Sequence, residues 1–195
     1  MKAFAAVLWL AGAFLAGCGP TPKAPAFEFT DITGAEFARG FQLTDHTGKA
    51  RTLADFAGKA VVVFFGFTRC PDVCPTTMGE LAMVKKELGK DAARLQVLFI
   101  TIDPERDTQE LLAQYVPGFH PDFLGLYGDA AATARTAKEY KVIYQKQPLA
   151  GGNYSMDHSA GTYIYDTAGR LRLFAQYGRG APAFLHDIRL LLQSS

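Results

Sequence analysis

The sequence predicts an α/β domain built around a central mixed sheet that is flanked by helices. Two long runs of β-branched and aromatic residues, 60–67 and 94–102, are typical of strands buried on both faces. Helical patterns follow each of these runs, and this alternation favours parallel strands in one sheet. The last two predicted strands, 160–166 and 171–177, are joined by a short turn, which makes the sheet mixed.

Three further segments complete the predicted sheet and its connections. Residues 41–53 read as two short strands around a turn at 45–48, which predicts an N-terminal β-hairpin. A short apolar run at 123–128 predicts another strand. Residues 147–157 are rich in Gly, Asn and Pro and predict a flexible loop.

Four helices are predicted from apolar residues at helical spacing, from alanine-rich composition and from capping patterns. They span 76–88, 107–116, 129–140 and 182–192. Thr77 with Glu80 forms a capping-box pattern near the start of the first helix. Asp107 with Glu110 forms a similar pair at the start of the second, so we expect Asp107 to cap it.

The first eighteen residues form a distinct segment. Lys2 is followed by an apolar run from Ala3 to Ala16, shorter than the roughly 20 residues that a membrane-spanning helix needs. This pattern predicts a secretory signal peptide over 1–17. Its end, LAGC, resembles the lipobox of bacterial lipoproteins, which implies that Cys18 becomes the first mature residue and carries lipid on its sulfur. The alternatives are an ordinary signal peptide with a chance cysteine, or a short uncleaved anchor.

The predicted organisation has consequences for partners and for thiols. Residues 18–39 form a tether that contains the lipidated cysteine and several prolines, and residues 40–195 form the folded domain. The formal net charge is +1 without a dense run of Lys or Arg, so no feature favours nucleic acid as a partner. Once Cys18 carries lipid, only Cys70 and Cys74 remain as thiols, and an oxidising compartment permits a disulfide between them.

The cysteine pair lies in FTRCPDVCPTT, between the strand 60–67 and the first helix. Sites in α/β sheets form where strand carboxyl ends meet helix N-termini, and the helix N-terminus lowers the pKa of a nearby thiol. A disulfide across three intervening residues would add little stability. Thiol exchange and metal binding therefore remain open for Cys70 and Cys74. Two thiolates with one imidazole form a soft ligand set that suits Cu(I) and can also bind Cu(II).

Four histidines could supply that imidazole. His158 follows the predicted loop 147–157 and precedes a strand, a position from which a side chain could reach a helix N-terminus. Asp157 and Ser159 flank it as candidate partners of the ring. The remaining histidines are interpreted as solvated: His46, His120 and His186.

From about Gly40 to Asp166 the chain resembles the Sco/SenC family of copper-binding proteins. The resemblance rests on FFGFTRCPDVCPTT, on DPERDT at 103–108 and on YSMDHSAGTYIYD. It implies a thioredoxin-like fold and one copper ion per domain, Cu(I) or Cu(II), bound by Cys70, Cys74 and His158. It further implies a membrane-tethered copper chaperone, and not an enzyme, that delivers copper to the binuclear copper centre of cytochrome c oxidase during its assembly.

The resemblance also implies a location and partners. The protein is expected on the extracytoplasmic, periplasmic side, attached by its lipid to the inner membrane. Its partner is the copper-bearing subunit of the oxidase, with a second periplasmic copper chaperone or a thiol reductase as a further candidate. Two other functions stay open: a thiol-disulfide reductase that keeps oxidase-subunit cysteines reduced, and a redox or copper sensor. The stretch SMDHSAGTY lacks the proline that thioredoxin-type reductases place before a strand, which favours metal binding over general disulfide exchange.

Two acidic features near the motif have alternative interpretations. The segment Asp103–Thr108 is interpreted as a strand-end turn followed by a helix cap at Asp107. The alternative is a charged surface that docks a partner or orders the segment bearing the cysteines. Asp72, between the two cysteines, either tunes thiol acidity or interacts with the ion, or simply forms a turn.

Overall fold

The structure is a computed structural model that describes residues 26–193, in which ten strands and four α-helices follow one another. The strands are β1 (Thr30–Asp31), β2 (Gln42–Asp45), β3 (Ala50–Thr52), β4 (Ala60–Gly66), β5 (Leu95–Thr101), β6 (Leu124–Tyr127), β7 (Tyr144–Pro148), β8 (Tyr154–His158), β9 (Gly161–Tyr165) and β10 (Leu171–Gln176). The helices are α1 (Val73–Glu87), α2 (Gln109–Tyr115), α3 (Ala130–Glu139) and α4 (Gly180–Gln193). The predicted signal peptide and Cys18 lie outside the described residues.

Eight strands form one mixed sheet in the order β1-β10-β9-β4-β5-β6-β2-β3. Strands β4, β5 and β6 are parallel, and the other neighbours pair antiparallel. Every residue of β4 and β5 is buried, as expected for strands that are covered on both faces. The predicted mixed sheet, the flanking helices and the N-terminal hairpin formed by β2 and β3 are therefore confirmed.

Helices pack against the sheet and against one another around an aromatic core. α1 contacts α4, α2 contacts β6, and α3 contacts β2. Phe65, Tyr140 and Tyr163 form an aromatic cluster with ring centroids 5.0–6.2 Å apart. Fully burying a side chain of this size stabilises the fold by about 1.5–3 kcal/mol. This core rigidly positions the end of β4, which leads directly into the cysteine motif.

Two helices are capped differently from the prediction. α1 begins at Val73 with Asp72 in the N-cap position, so Thr77 and Glu80 lie inside the helix and do not form a capping box. Pro75 fits in the first turn because the backbone N–H it lacks would have no partner there. α2 is capped by Thr108, whose Oγ1 accepts a hydrogen bond from the Leu111 N–H at 3.3 Å. The prediction that Asp107 caps this helix is wrong, because the buried Asp107 carboxylate bonds elsewhere.

The segment predicted as a flexible loop, 147–157, is mostly a β-hairpin. β7 and β8 pair antiparallel, with Tyr144 opposite His158, and form a separate two-stranded sheet. The turn contains Gly151 and Gly152 at φ values of 78° and 77°, a conformation that glycine adopts without steric cost. The sequence does not reveal these strands, because all but one of their residues are partly or fully exposed and no hydrophobic alternation marks them.

Part of the segment assigned to the tether packs against the domain. β1 pairs with β10, and the buried Phe29 ring lies 4.7 Å from the Phe184 ring. The Phe29 N–H donates to the buried Asp187 carboxylate at 2.9 Å. The fold therefore extends to the N-terminal side of residue 40. Within residues 26–193, none of the helices combines the length and the apolar character needed to span a membrane.

Candidate metal centre

The cysteine loop, residues 67–72, connects the last residue of β4 to the first turn of α1. Cys70 lies in this loop and is half-buried, whereas Cys74 lies in α1 and is fully buried. The Cys74 N–H donates to the Cys70 sulfur at 3.3 Å, which places that sulfur at the N-terminus of the helix. Both thiols are free. A sulfur at a helix N-terminus is suitably placed for nucleophilic attack or for binding a metal ion.

The buried Cys74 thiol resists ionisation. Burial raises the pKa of the Cys74 thiol far above its usual range, and the neighbouring Cys70 side chain raises it further. The expected lowering of a thiol pKa by the helix N-terminus is therefore outweighed at Cys74. Its thiol stays protonated at neutral pH unless a cation replaces the proton, because a bound metal ion stabilises the thiolate directly.

Gly66 at the end of β4 makes room for the buried sulfur. A Cβ atom at this position would lie 2.9 Å from the Cys74 sulfur and 2.8 Å from the Phe99 ring. Both distances are shorter than van der Waals contact, so no other residue fits without displacing one of these groups. The sequence analysis missed this role, although a glycine at the end of an otherwise β-branched and aromatic strand signals a close approach.

His158 lies at the end of β8 and presents one ring nitrogen for coordination. Its Nδ1 lies 3.0 Å from the backbone oxygen of Ser159. A carbonyl oxygen only accepts hydrogen bonds, so in the neutral ring Nδ1 carries the proton and Nε2 keeps its lone pair. Burial lowers the pKa of His158 and favours this neutral form. A backbone partner on one nitrogen is a common arrangement for a metal-binding histidine.

The imidazole packs against the cysteine loop. The Phe67 and His158 rings meet edge to face, with centroids 6.1 Å apart. Phe67 is three residues before Cys70, so the structure brings all three predicted ligands into one region. Within residues 26–193, however, no group of three His, Cys, Asp or Glu side chains is close enough to bind one metal ion. A three-ligand site at Cys70, Cys74 and His158 therefore requires the loop or the hairpin to move.

The other histidines have hydrogen-bond partners of their own. His46 is half-buried, and its Nδ1 accepts a hydrogen bond from the Gly125 N–H at 3.0 Å. The interpretation of His46 as solvated is therefore wrong, because its ring joins the β2–β3 turn to β6. The Nδ1 of His120 accepts from the Asp122 N–H at 3.1 Å, and His186 contacts Asp187.

The Asp103–Thr108 segment orders the cysteine loop. The buried Asp107 carboxylate accepts hydrogen bonds from the Thr68 N–H at 3.0 Å and the Thr68 hydroxyl at 2.6 Å. It also accepts from the Thr101 hydroxyl at 2.6 Å. These bonds support the alternative interpretation in which this segment orders the residues that bear the cysteines; the docking of a partner stays a prediction. Asp72, by contrast, is exposed at the N-cap of α1 and accepts from the Thr76 hydroxyl at 3.4 Å, which supports its reading as a turn former.

The fold and the paired free cysteines define a thioredoxin-like α/β domain with a thiol site at a helix N-terminus. The sequence model of the SCO1/SenC family matches residues 29–193. The chain therefore belongs to the SCO1/SenC family, which confirms the resemblance inferred from the motifs.

Individual relatives agree with this assignment. The mitochondrial protein SCO2 homolog of Homo sapiens is 42% identical over 147 residues, which cover 73% of this chain. The chain spans 54–60% of the length of its mammalian SCO2 relatives. The structure of Bradyrhizobium japonicum ScoI with copper bound has 40% sequence identity and a TM-score of 0.72, and the match covers 78% of this chain and 98% of that one.

A more distant structure shares the fold. BsSco, a member of the Sco family of cytochrome c oxidase assembly proteins in which a disulfide switch was identified, has a TM-score of 0.66. The match covers 86% of this chain and 99% of that chain, at 18% identity. At this identity the likeness shows the fold alone.

Proposed function

We propose that this protein binds one copper ion through Cys70, Cys74 and His158 and delivers it to the binuclear copper centre of cytochrome c oxidase. The observation that carries the proposal is the His158 ring, which packs on the cysteine loop with Nδ1 bonded to a backbone carbonyl and Nε2 left for a ligand. Membership of the SCO1/SenC family and the copper-bound relative from Bradyrhizobium japonicum support the choice of metal.

Copper is the cargo, and this chain's residues determine how it is taken up. Each cysteine must lose its proton to coordinate as a thiolate, so uptake releases protons to the solvent. The high pKa of Cys74 makes its proton the harder one to displace. His158 is already neutral and offers Nε2 without any proton change. Two sulfurs and one nitrogen form a soft ligand set that suits Cu(I) and can also bind Cu(II).

A reductase function is the second candidate. Cys70 is half-buried at a helix N-terminus and Cys74 is fully buried, as in a pair of attacking and resolving cysteines. The Cys70 thiolate would attack a disulfide of the partner, releasing one partner thiol. Cys74 would then form the Cys70–Cys74 disulfide and release the second partner thiol, so that two electrons pass to the partner. This reaction needs both cysteines but not His158.

A copper titration separates the two functions. The full chain, purified in detergent and reduced, is titrated anaerobically with Cu(I) against a competing chelator. We expect one ion per chain and an affinity that falls by about tenfold or more in His158→Ala. His120→Ala is the matched control, because His120 lies outside the proposed site and its ring contacts Asp122 and Phe123. Unchanged affinity in His158→Ala, together with rapid reduction of a disulfide peptide, would instead establish the reductase.

We further propose that the domain works on the extracytoplasmic side of the inner membrane, attached through lipid on Cys18 after removal of residues 1–17. The apolar N-terminal run and its LAGC ending support this location. The intact mass of the purified protein tests it. A mass that lacks residues 1–17 and includes acyl chains is the expected result, and a mass with neither change contradicts the anchor.

A further inference from the structure

The hairpin that bears His158 contacts the rest of the domain through a few side chains. β7 and β8 pair only with each other in the described part of the chain, and Met156 is their one buried residue. An isolated two-stranded hairpin is marginally stable in water, so contacts with the domain must stabilise it. Met156 is buried, and Tyr144 and Tyr154 pack partly against the core. Polar contacts add to these apolar ones in positioning the hairpin.

Asp103, Arg106 and Tyr154, which we call the Arg106 cluster, supply those polar contacts. The Arg106 Nε donates to the buried Asp103 carboxylate, and its Nη1 donates to the backbone oxygen of Tyr154 at 2.7 Å. The guanidinium lies over the Tyr154 ring, 3.6 Å from its centroid. The Tyr154 hydroxyl donates to the other Asp103 oxygen at 2.8 Å. Arginine suits this position because its planar guanidinium group can donate several hydrogen bonds and stack on an aromatic ring at the same time.

A continuous hydrogen-bond path joins this cluster to the cysteine loop. The Asp103 N–H donates to the Thr101 hydroxyl at 3.0 Å, and that hydroxyl donates to Asp107 at 2.6 Å. Asp107 in turn accepts the two hydrogen bonds of Thr68 in the cysteine loop. Thr68 is two residues before Cys70, and Tyr154 is four residues before His158. One short segment, 103–107, thus contacts both halves of the proposed site.

We propose that the Arg106 cluster positions His158 by fixing the hairpin to the segment that also orders the cysteine loop. This inference rests on the proposed copper site. The cluster restrains the hairpin without satisfying every group, because the buried Nη2 of Arg106 has no hydrogen-bond partner within residues 26–193. A buried donor without an acceptor weakens the cluster. The restraint is therefore weaker than that of a fully hydrogen-bonded cluster.

Hydrogen exchange tests the restraint without copper. Amide exchange of residues 144–158 is measured on the reduced, metal-free full chain in Arg106→Lys and Tyr154→Phe. Lysine keeps the positive charge but lacks the planar guanidinium group, and phenylalanine lacks only the hydroxyl of tyrosine. We expect hairpin amides to exchange about tenfold faster in Arg106→Lys, and a few-fold faster in Tyr154→Phe, with core strands unchanged.

Glu105→Gln is the matched control. Glu105 belongs to the same segment and forms an ion pair with Lys146 of the same hairpin, but both side chains are largely exposed. Exposed pairs contribute little, so hairpin exchange should match that of the wild-type chain.

Copper binding then tests the positioning of His158. Both cluster variants should bind Cu(I) several-fold more weakly and shift the thiolate-to-Cu(II) charge-transfer band toward that of His158→Ala. A purely structural role would lower the unfolding temperature but leave this band unchanged.

The outcomes separate the inference from the function it rests on. Wild-type exchange rates in both cluster variants overturn the inference. The inference is also overturned if hairpin amides exchange faster in the cluster variants while their copper affinity and spectrum match the wild-type chain, provided that His158→Ala weakens copper binding. If His158→Ala binds copper like the wild-type chain, the proposed function fails and the positioning of a ligand fails with it. Faster hairpin exchange in the cluster variants would then still show that the cluster restrains the hairpin. Failure of the copper site and failure of the restraint are therefore distinguishable.

Discussion

The cysteine loop and the β7–β8 hairpin bear the two halves of the proposed site, but the domain supports them differently. The loop runs between β4, whose residues are all buried, and the first turn of α1. The hairpin forms its own small sheet and contributes one buried residue. The sulfurs are therefore positioned by the core, and the imidazole by a hairpin that combines polar contacts with limited apolar packing. Such a division suits a site that must take up an ion and later release it, because one side can move while the other stays in place.

The largest expected effect is on folding stability, at the end of β4 where the cysteine loop begins. Gly66→Ala introduces a Cβ 2.9 Å from the Cys74 sulfur and 2.8 Å from the Phe99 ring. We expect the free energy of unfolding to fall by about 1–3 kcal/mol, the range for overpacking a core. Urea unfolding measures it.

Gly79→Ala is the control for this substitution. Gly79 lies in α1, where an added Cβ would meet nothing within 4 Å, so this change should stabilise the helix by up to about 1 kcal/mol. An unchanged free energy of unfolding in Gly66→Ala would show that the end of β4 accommodates a side chain and is not tightly packed.

An intermediate effect concerns the pH dependence of Cys74. Because burial raises its pKa in the folded state, the protonated thiol is favoured and folding stability is lost as the pH rises above 9.0, the ordinary value for the unfolded chain. Iodoacetamide should therefore modify Cys74 slowly at neutral pH, and peptide mapping measures the rate. Cys74→Ala should lose less stability above this pH than the wild-type chain. Rapid modification at pH 7 would show that the buried side of the site opens as readily as the hairpin.

The smallest expected effect lies on the hairpin. Gly152→Ala places a Cβ at a residue with φ of 77° and costs about 1 kcal/mol locally. Because the hairpin lies outside the main sheet, we expect the urea midpoint to change little while hairpin amides exchange faster. A large fall in the urea midpoint would show that the hairpin folds cooperatively with the core, and the contrast between the two regions would be lost.

Local sequence patterns were sufficient to predict the strands of the core, but not the elements that are held by polar contacts. The long apolar runs of β4 and β5 have only one favourable environment, a sheet covered on both faces. The hairpin was not predicted because β7 and β8 bury a single residue, and backbone pairing and Arg106 supply much of their order. Asp107 was wrongly predicted to cap α2 because a carboxylate before a helix matches a capping pattern. The groups that donate hydrogen bonds to it, Thr68 and Thr101, precede it in the chain and lie outside that pattern.

By itself, the amino-acid sequence determined the α/β class, the order of the core strands along the chain, the cysteine pair before a helix and the family. These depend on the spacing of side chains within a few residues. Only the tertiary structure decided that Asp107 bonds to Thr68, 39 residues away, and that Tyr154 bonds to Asp103, 51 residues away. It also decided that the His158 ring rests on Phe67. Such pairings form because buried polar groups must find partners, and the path of the folded backbone decides which partners are within reach.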